Sequence, residues 1–176
     1  LFETDYAQYI GTRHCVACGN GLDALTLIFR ACKEMGAMKE GDEVIVPAPY
    51  WPSFPDIVRI NDGEPVIVSC GLEVQFKLTP EALAAAIRPR TRWVILKTPG
   101  NPSGAVYDRA ELAALAAVLR QHPQVWILLD ELYEHIWFTE QEPAHWLHVA
   151  PDLKERTLLV NGASKTYAMT GWRIGW

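Results

Sequence analysis

The stretch TRWVILKTPGNPSGAVYDRAELAALAAVLRQHPQVWILLDELYEH, Thr91–His135, decides the fold. RWVILK and VWILLD are short, near-continuous apolar runs of the kind that makes strands buried on both faces. Between them DRAELAALAAVLRQ carries apolar residues at helical spacing, with Asp108 as its N-cap. Strand, helix, strand in this order is a parallel crossover unit, and its ligand edge lies beyond the carboxyl ends of the strands. Three polar residues fall at that edge. Asn101 sits in the stiff turn after Lys97, Asp130 closes the second strand, and Tyr133 follows three positions on. An ionised carboxylate at the end of an apolar strand is costly to bury without a cationic partner, so Asp130 calls for a positive charge.

The same pattern extends outward. HCVAC, EVIVP, EPVIVS, TLLVN and RIGW are further apolar runs bounded by turn residues, giving seven candidate strands with the two above. LDALTLIFRACKEM and TPEALAAAI add helices, the second opened by Thr79-Pro80. The expectation is one domain, a three-layer α/β/α sandwich with a mostly parallel seven-stranded sheet. Its 176 residues suffice for a substantial core.

Bulk properties exclude several functions. Sixteen basic against 21 acidic residues give a net charge of -5, with no cationic run for a nucleic acid. No apolar stretch reaches the roughly 20 residues that span a bilayer, and the opening LFETDYAQYI lacks a signal core, so a cytoplasmic chain with no membrane partner is expected. Cys15, Cys18, Cys32 and Cys70 are too scattered for a disulfide framework and are expected as thiols. HCVAC holds a CxxC pair beside His14. Read as a buried strand, it sends Cys15 and Cys18 to opposite faces, which favours packing over a metal or redox site.

Two further segments bear on chemistry. GNGLDAL turns through Gly19-Asn20-Gly21 into a helix, whose first N–H groups suit a phosphate. Trp51 in PAPYWPSF offers a π-face to a planar ligand. In NGASKTYAMTGWRIGW, Lys165 follows the strand TLLVN, and Arg173 stands among apolar and glycine residues. A phosphate site, an acid for a cationic ring nitrogen, a tyrosine and an amide for a ring hydroxyl, an aromatic platform and a lysine together match the requirements of pyridoxal 5'-phosphate.

PAPYWPSFPDIV, PGNPSGAVY, DELYEH and NGASKTYAMTGWRIGW, in this order, resemble the fold type I pyridoxal-phosphate aminotransferases of class I/II, the aspartate aminotransferase group. The stretch Tyr9–Pro47 is closer to the sugar-nucleotide aminotransferases of the same fold type, and Lys97-Thr98 replaces a more usual asparagine-serine pair. The resemblance implies that the chain is the cofactor-binding large domain, over residues 1–176, without an N-terminal arm or a C-terminal small domain. It implies that Lys165 forms the Schiff base and later shuttles a proton, a general-base step served by a pKa depressed through burial and neighbouring cations. Asp130 would partner the ring nitrogen and Tyr133 the ring hydroxyl; Asn101 would bond that hydroxyl and the substrate carboxylate. Trp51 would stack on the ring and also meet the substrate, while Ser164, Arg173 and the backbone of Asn20, Gly21 and Leu22 would hold the phosphate. The implied reaction moves an amino group from an amino acid to a 2-oxo acid by ping-pong kinetics, in a homodimer and without a metal. A lyase, a decarboxylase or a sugar aminotransferase on the same fold, and a cofactor-binding fragment without turnover, are the alternatives.

Overall fold

A computed structural model of the chain describes residues 1–138, 140 and 142–176. Five strands, β1 (Glu43–Ala48), β2 (Glu64–Ser69), β3 (Thr91–Lys97), β4 (Trp126–Asp130) and β5 (Thr157–Val160), form one sheet in the order β2-β1-β3-β4-β5. Every pairing among them is parallel. The helices are α1 (Phe2–Ile10), α2 (Gly21–Glu34), α3 (Ser53–Ile60), α4 (Pro80–Ala86), α5 (Arg109–Arg120), and the one-turn α6 (Trp146–Val149) and α7 (Ala163–Thr166).

The caps form where the sequence places them. Thr79 Oγ1 accepts from Ala82 N at the start of α4, and Asp108 forms a reciprocal capping box with Glu111 on α5. Alternation along the strands then sorts side chains into two cores. Ile45, Val94, Leu96, Ile127 and Leu129 pack with Leu83, Leu112, Leu115, Leu119 and Trp146 from α4, α5 and α6. Val44, Val46, Trp93, Ile95 and Leu128 pack with Leu25, Phe29, Phe54, Ile57 and Val58 from α2 and α3. A three-layer α/β/α sandwich results.

Two of the seven expected strands are not strands. HCVAC and RIGW meet only through an isolated antiparallel bridge, Cys18 to Gly175, with a second bridge from Gly175 to Gly162. HCVAC is not buried either: Val16 is 69% exposed, and Cys15 and Cys18 are only partly covered. Apolar composition suggested strands there, but a strand needs a neighbour along its length, and these segments meet one residue at a time. The CxxC sulfurs join no metal-ligating group among the described residues.

From β1 the chain moves to β2 on one side, over the α3 face, and returns by α4 on the opposite face to β3 on the other side. The switch point is therefore the gap between the carboxyl ends of β1 and β3, where open α/β sheets bind ligands.

Candidate active site

Asn101 and Tyr133, from two loops, and Lys165, from the one-turn α7, converge at this edge. Asn101 Nδ2 donates to Tyr133 OH at 3.4 Å. Lys165 Nζ stands 5.8 Å from the centroid of the same tyrosine ring. Asp130 closes β4 between them and is buried, its Oδ1 accepting from Leu132 N at 3.3 Å. Burial raises the Asp130 carboxyl to about 6, against the lowering by the Leu132 N–H and the Lys97 charge.

Close backbone approach assembles the glycine-rich part. A Cβ on Gly162 would lie 3.9 Å from Gly21 N and one on Gly175 would lie 2.3 Å from the carbonyl carbon of Asn20, while one on Gly21 would lie 3.0 Å from the side chain of Leu132. The start of α2, the loop between Asp130 and Tyr133, and the turn leading to Ser164 and Lys165 therefore meet at one point. Asn20 caps α2, its Oδ1 accepting from Asp23 N at 3.1 Å, and Cys18 Sγ donates to Asn20 O at 3.2 Å. The N–H groups of Gly21 and Leu22 lie in the first turn, where no intrahelical acceptor exists.

Other expected site residues sit differently. Trp51 is half-buried and packs edge-on against Phe54, with ring centroids 5.6 Å apart. Ser164 is half-buried in α7. Lys165 is exposed, so the burial expected of it is not there. Arg173 is exposed at a left-handed φ of 54°, and its Nη1 donates to Thr170 O at 2.7 Å, turned back on its own loop. A cavity of about 700 Å³ borders Gly162 and Ala163 from the side of Tyr6, Glu134, Asn161 and Trp176, and none of Asn101, Asp130, Tyr133 or Lys165 lines it.

Two groups at this edge were not singled out from the sequence. Lys97 ends β3 directly opposite Asp130 in register, and its Nζ donates to Pro49 O at 2.9 Å and Asn101 O at 2.8 Å. Its charge acts on Asp130 from the neighbouring strand without an ion pair within 4.0 Å, and the lysine closing an apolar run was its signal. Glu131, Glu134 and His145 form the second group, with ligand atoms within 4.8 Å of one another. His145 Nδ1 accepts from Leu147 N, so its proton lies on Nε2, 2.9 Å from Glu131 Oε1. A ring nitrogen that carries the proton has no lone pair for a metal, and this one stands in ion-pair range of Glu131 without an aligned hydrogen bond, so this is an acid–imidazole pair. Glu134 accepts from Asn161 Nδ2 at 2.9 Å, tying the β4 loop to the end of β5. His145 is brought in by a loop whose sequence gives no sign of it.

The residues present fit the group expected of them: orphan N–H donors beside an open backbone cradle, a buried acid, an amide–phenol pair and a primary amine. Fold and site together define a doubly wound α/β domain with its ligand crevice at the switch point. Comparison with known proteins is specific. The family profile for aminotransferase class I and II matches residues 1–176, and the chain belongs to that family. The chain is 55% identical over 142 residues to an aspartate/prephenate aminotransferase of Cereibacter sphaeroides, covering 81% of this chain and 36% of that protein. It is 51% identical over 153 residues to an aspartate aminotransferase of Rhizobium meliloti, covering 87% and 37% of the two. The crystal structure of an aspartate aminotransferase from Rhizobium meliloti superposes with a TM-score of 0.83 at 48% identity, over 91% of this chain and 39% of that one. The chain thus spans a little over a third of the length of these relatives. The family match includes Tyr9–Pro47, so a separate sugar-nucleotide origin for that stretch finds no support.

Proposed function

We propose that the chain is the cofactor-binding part of a pyridoxal-phosphate-dependent aminotransferase that moves an amino group from an amino acid to a 2-oxo acid. The observation that carries this reading is the convergence of Asn101 and Tyr133 from two loops with Lys165 from α7, and buried Asp130 at the end of β4. When bound, pyridoxal 5'-phosphate supplies an electron-withdrawing ring and the carbon that accepts the amino group.

The chain's residues divide the remaining work. Lys165 Nζ is the covalent anchor and, once displaced by substrate, the base that removes and returns the Cα proton. Asp130, as a carboxylate, keeps the proton on the ring nitrogen. Tyr133 and Asn101 fix the ring hydroxyl, Asn101 also meets the substrate carboxylate, and Trp51 supports the ring and borders the substrate. The N–H groups of Gly21 and Leu22, with Asn20 and Ser164, hold the phosphate at the α2 N-terminus. Arg173 joins them by leaving Thr170 O. The relatives support aspartate as the first donor to try.

Exposed Leu22, Tyr167 and Trp172 flank the site and support burial against a second copy of the chain in a homodimer. Among the described residues no helix is long and apolar enough to cross a membrane. The test is absorbance with added pyridoxal phosphate, followed by an aspartate challenge. A shifted band that Lys165→Ala abolishes, and that aspartate bleaches with release of the 2-oxo acid, is expected. A band that survives Lys165→Ala refutes the assignment.

A further inference from the structure

Lys97 stands at the switch point itself. With Trp93 and Ile95 it points toward the α2/α3 face, where Nζ lies 5.5 Å from the centroid of the Phe54 ring. Its two acceptors belong to different loops: Pro49 O follows β1, two residues before Trp51, and Asn101 O follows β3. Asp130, its partner in register on β4, points to the same face.

We propose that Lys97 is a positioning residue of the site, tying the Trp51 loop to the Asn101 loop and supplying the positive charge that keeps Asp130 ionised. This rests on the reading of Asp130 as the partner of the ring nitrogen. Two carbonyl acceptors need only two N–H donors, which a neutral amide provides. An ammonium adds a charge that this half-buried place disfavours: desolvation lowers Lys97 to about 8, against the raising by Asp130 and Cys70. The titratable groups facing Lys97 are therefore Asp130 from β4 and the Cys70 thiol beyond β2, which burial keeps neutral, and Glu131 acts on Asp130 as a further charge. The Asp130 charge and the Phe54 ring face both favour the ammonium there. A protonated Asp130 could not hold a protonated ring nitrogen.

The decisive experiment titrates Asp130 in cofactor-free protein by its carboxyl ¹³C resonance, assigned by its loss in Asp130→Asn. In Lys97→Gln, which keeps the donors and removes the charge, the midpoint should rise by about one unit, and Lys97→Arg should return it toward the parent. An unchanged midpoint in Lys97→Gln overturns the proposal. Because coupling is reciprocal, the Lys97 ammonium in Asp130→Asn should titrate below its parent value. This arm decides the matter even if Lys97→Gln fails to fold, and an unmoved Lys97 overturns the proposal. With pyridoxal phosphate added, a one-unit rise should make the binding deficit of Lys97→Gln about threefold larger near pH 6.5 than near pH 8.5. A parent that binds no pyridoxal phosphate refutes the functional reading, while the Asp130 midpoint still decides the role of Lys97.

Discussion

Replacing Gly175 with alanine tests whether the close approach of three backbone segments holds the cradle together. An added Cβ would lie 2.3 Å from the Asn20 carbonyl carbon, and 2.7 Å from both its oxygen and Gly21 N. Ordinary contact starts at 3.4 Å, so the segments must separate by about 1 Å. Neither neighbour is a flexible side-chain end. Gly175 O accepts from Cys18 N at 2.7 Å, and Gly175 N donates to Cys18 O at 2.9 Å. Stretching these bonds by that amount takes them beyond hydrogen-bonding range. At about 1 kcal/mol each the loss is about 2 kcal/mol, rising to about 4 kcal/mol if the next pair, between Trp176 and Asn161, also opens. Urea unfolding followed by tryptophan fluorescence reads this directly. Gly171→Ala, four residues earlier and with nothing within 4 Å of its added Cβ, is the control and should stay within about 0.5 kcal/mol of the parent. Gly175→Ala should also weaken pyridoxal-phosphate binding, because it displaces Asn20 and Gly21. If Gly175→Ala unfolds like Gly171→Ala, the three segments are not held at this distance and the cradle is wrong.

Burial holds Asp130 near 6, above its ordinary 3.8, so between these values the folded cofactor-free chain binds more protons than the unfolded one. Its contribution to stability is therefore lost as pH rises through that window, and Asp130→Asn should stabilise the cofactor-free chain above pH 6 by up to about 3 kcal/mol. Urea midpoints at several pH values check this, and parallel pH curves for parent and variant would refute it. Burial lowers the His145 pKa, but the close Glu131 carboxylate, with Glu134 and Glu142, raises it further, to a net increase. The stability that His145 contributes is then full below its unfolded pKa and lost as pH rises through the folded one. The deficit of His145→Ala should accordingly be larger in mild acid than in base, which thermal denaturation across pH measures. Tyr107→Phe removes the acceptor of Leu78 N, a buried bond of 2.6 Å, and should cost about 1–3 kcal/mol in urea unfolding.

How much of this was legible follows from how local each signal is. β1, β3 and β4 announce themselves as continuous apolar runs, and Asp108 and Thr79 mark their helices, because strand burial and capping involve residues close in sequence. HCVAC and RIGW carry the same composition and fail as strands, because pairing depends on what lies alongside. Asn101, Asp130 and Tyr133 could be placed at one edge from strand ends alone. That Arg173 turns toward Thr170, or that Trp51 meets Phe54 edge-on, is a matter of rotamer and loop path. His145 and Glu131 lie on separate segments, and only the packing of α6 brings them together.

Asp130 and Lys97 also show why the site lies where it does. Each is the last residue of a strand whose preceding side chains alternate between two apolar cores, and both point toward the α2/α3 side. One residue earlier they would face the opposite layer, away from the start of α2. At the strand ends they leave the apolar layer without reaching free solvent, and each retains a charge that the other makes tolerable. Burial displaces both from their ordinary pKa values, Asp130 upward and Lys97 downward, and each holds the other back from a larger shift. Neutralising either one therefore makes the other harder to keep charged. The pair acts as a unit, so the effects of Lys97→Gln and Asp130→Asn on stability should be non-additive, with the double variant better than the sum of the two predicts. Additive effects in that cycle would mean that the two charges stand at the same edge without sensing one another.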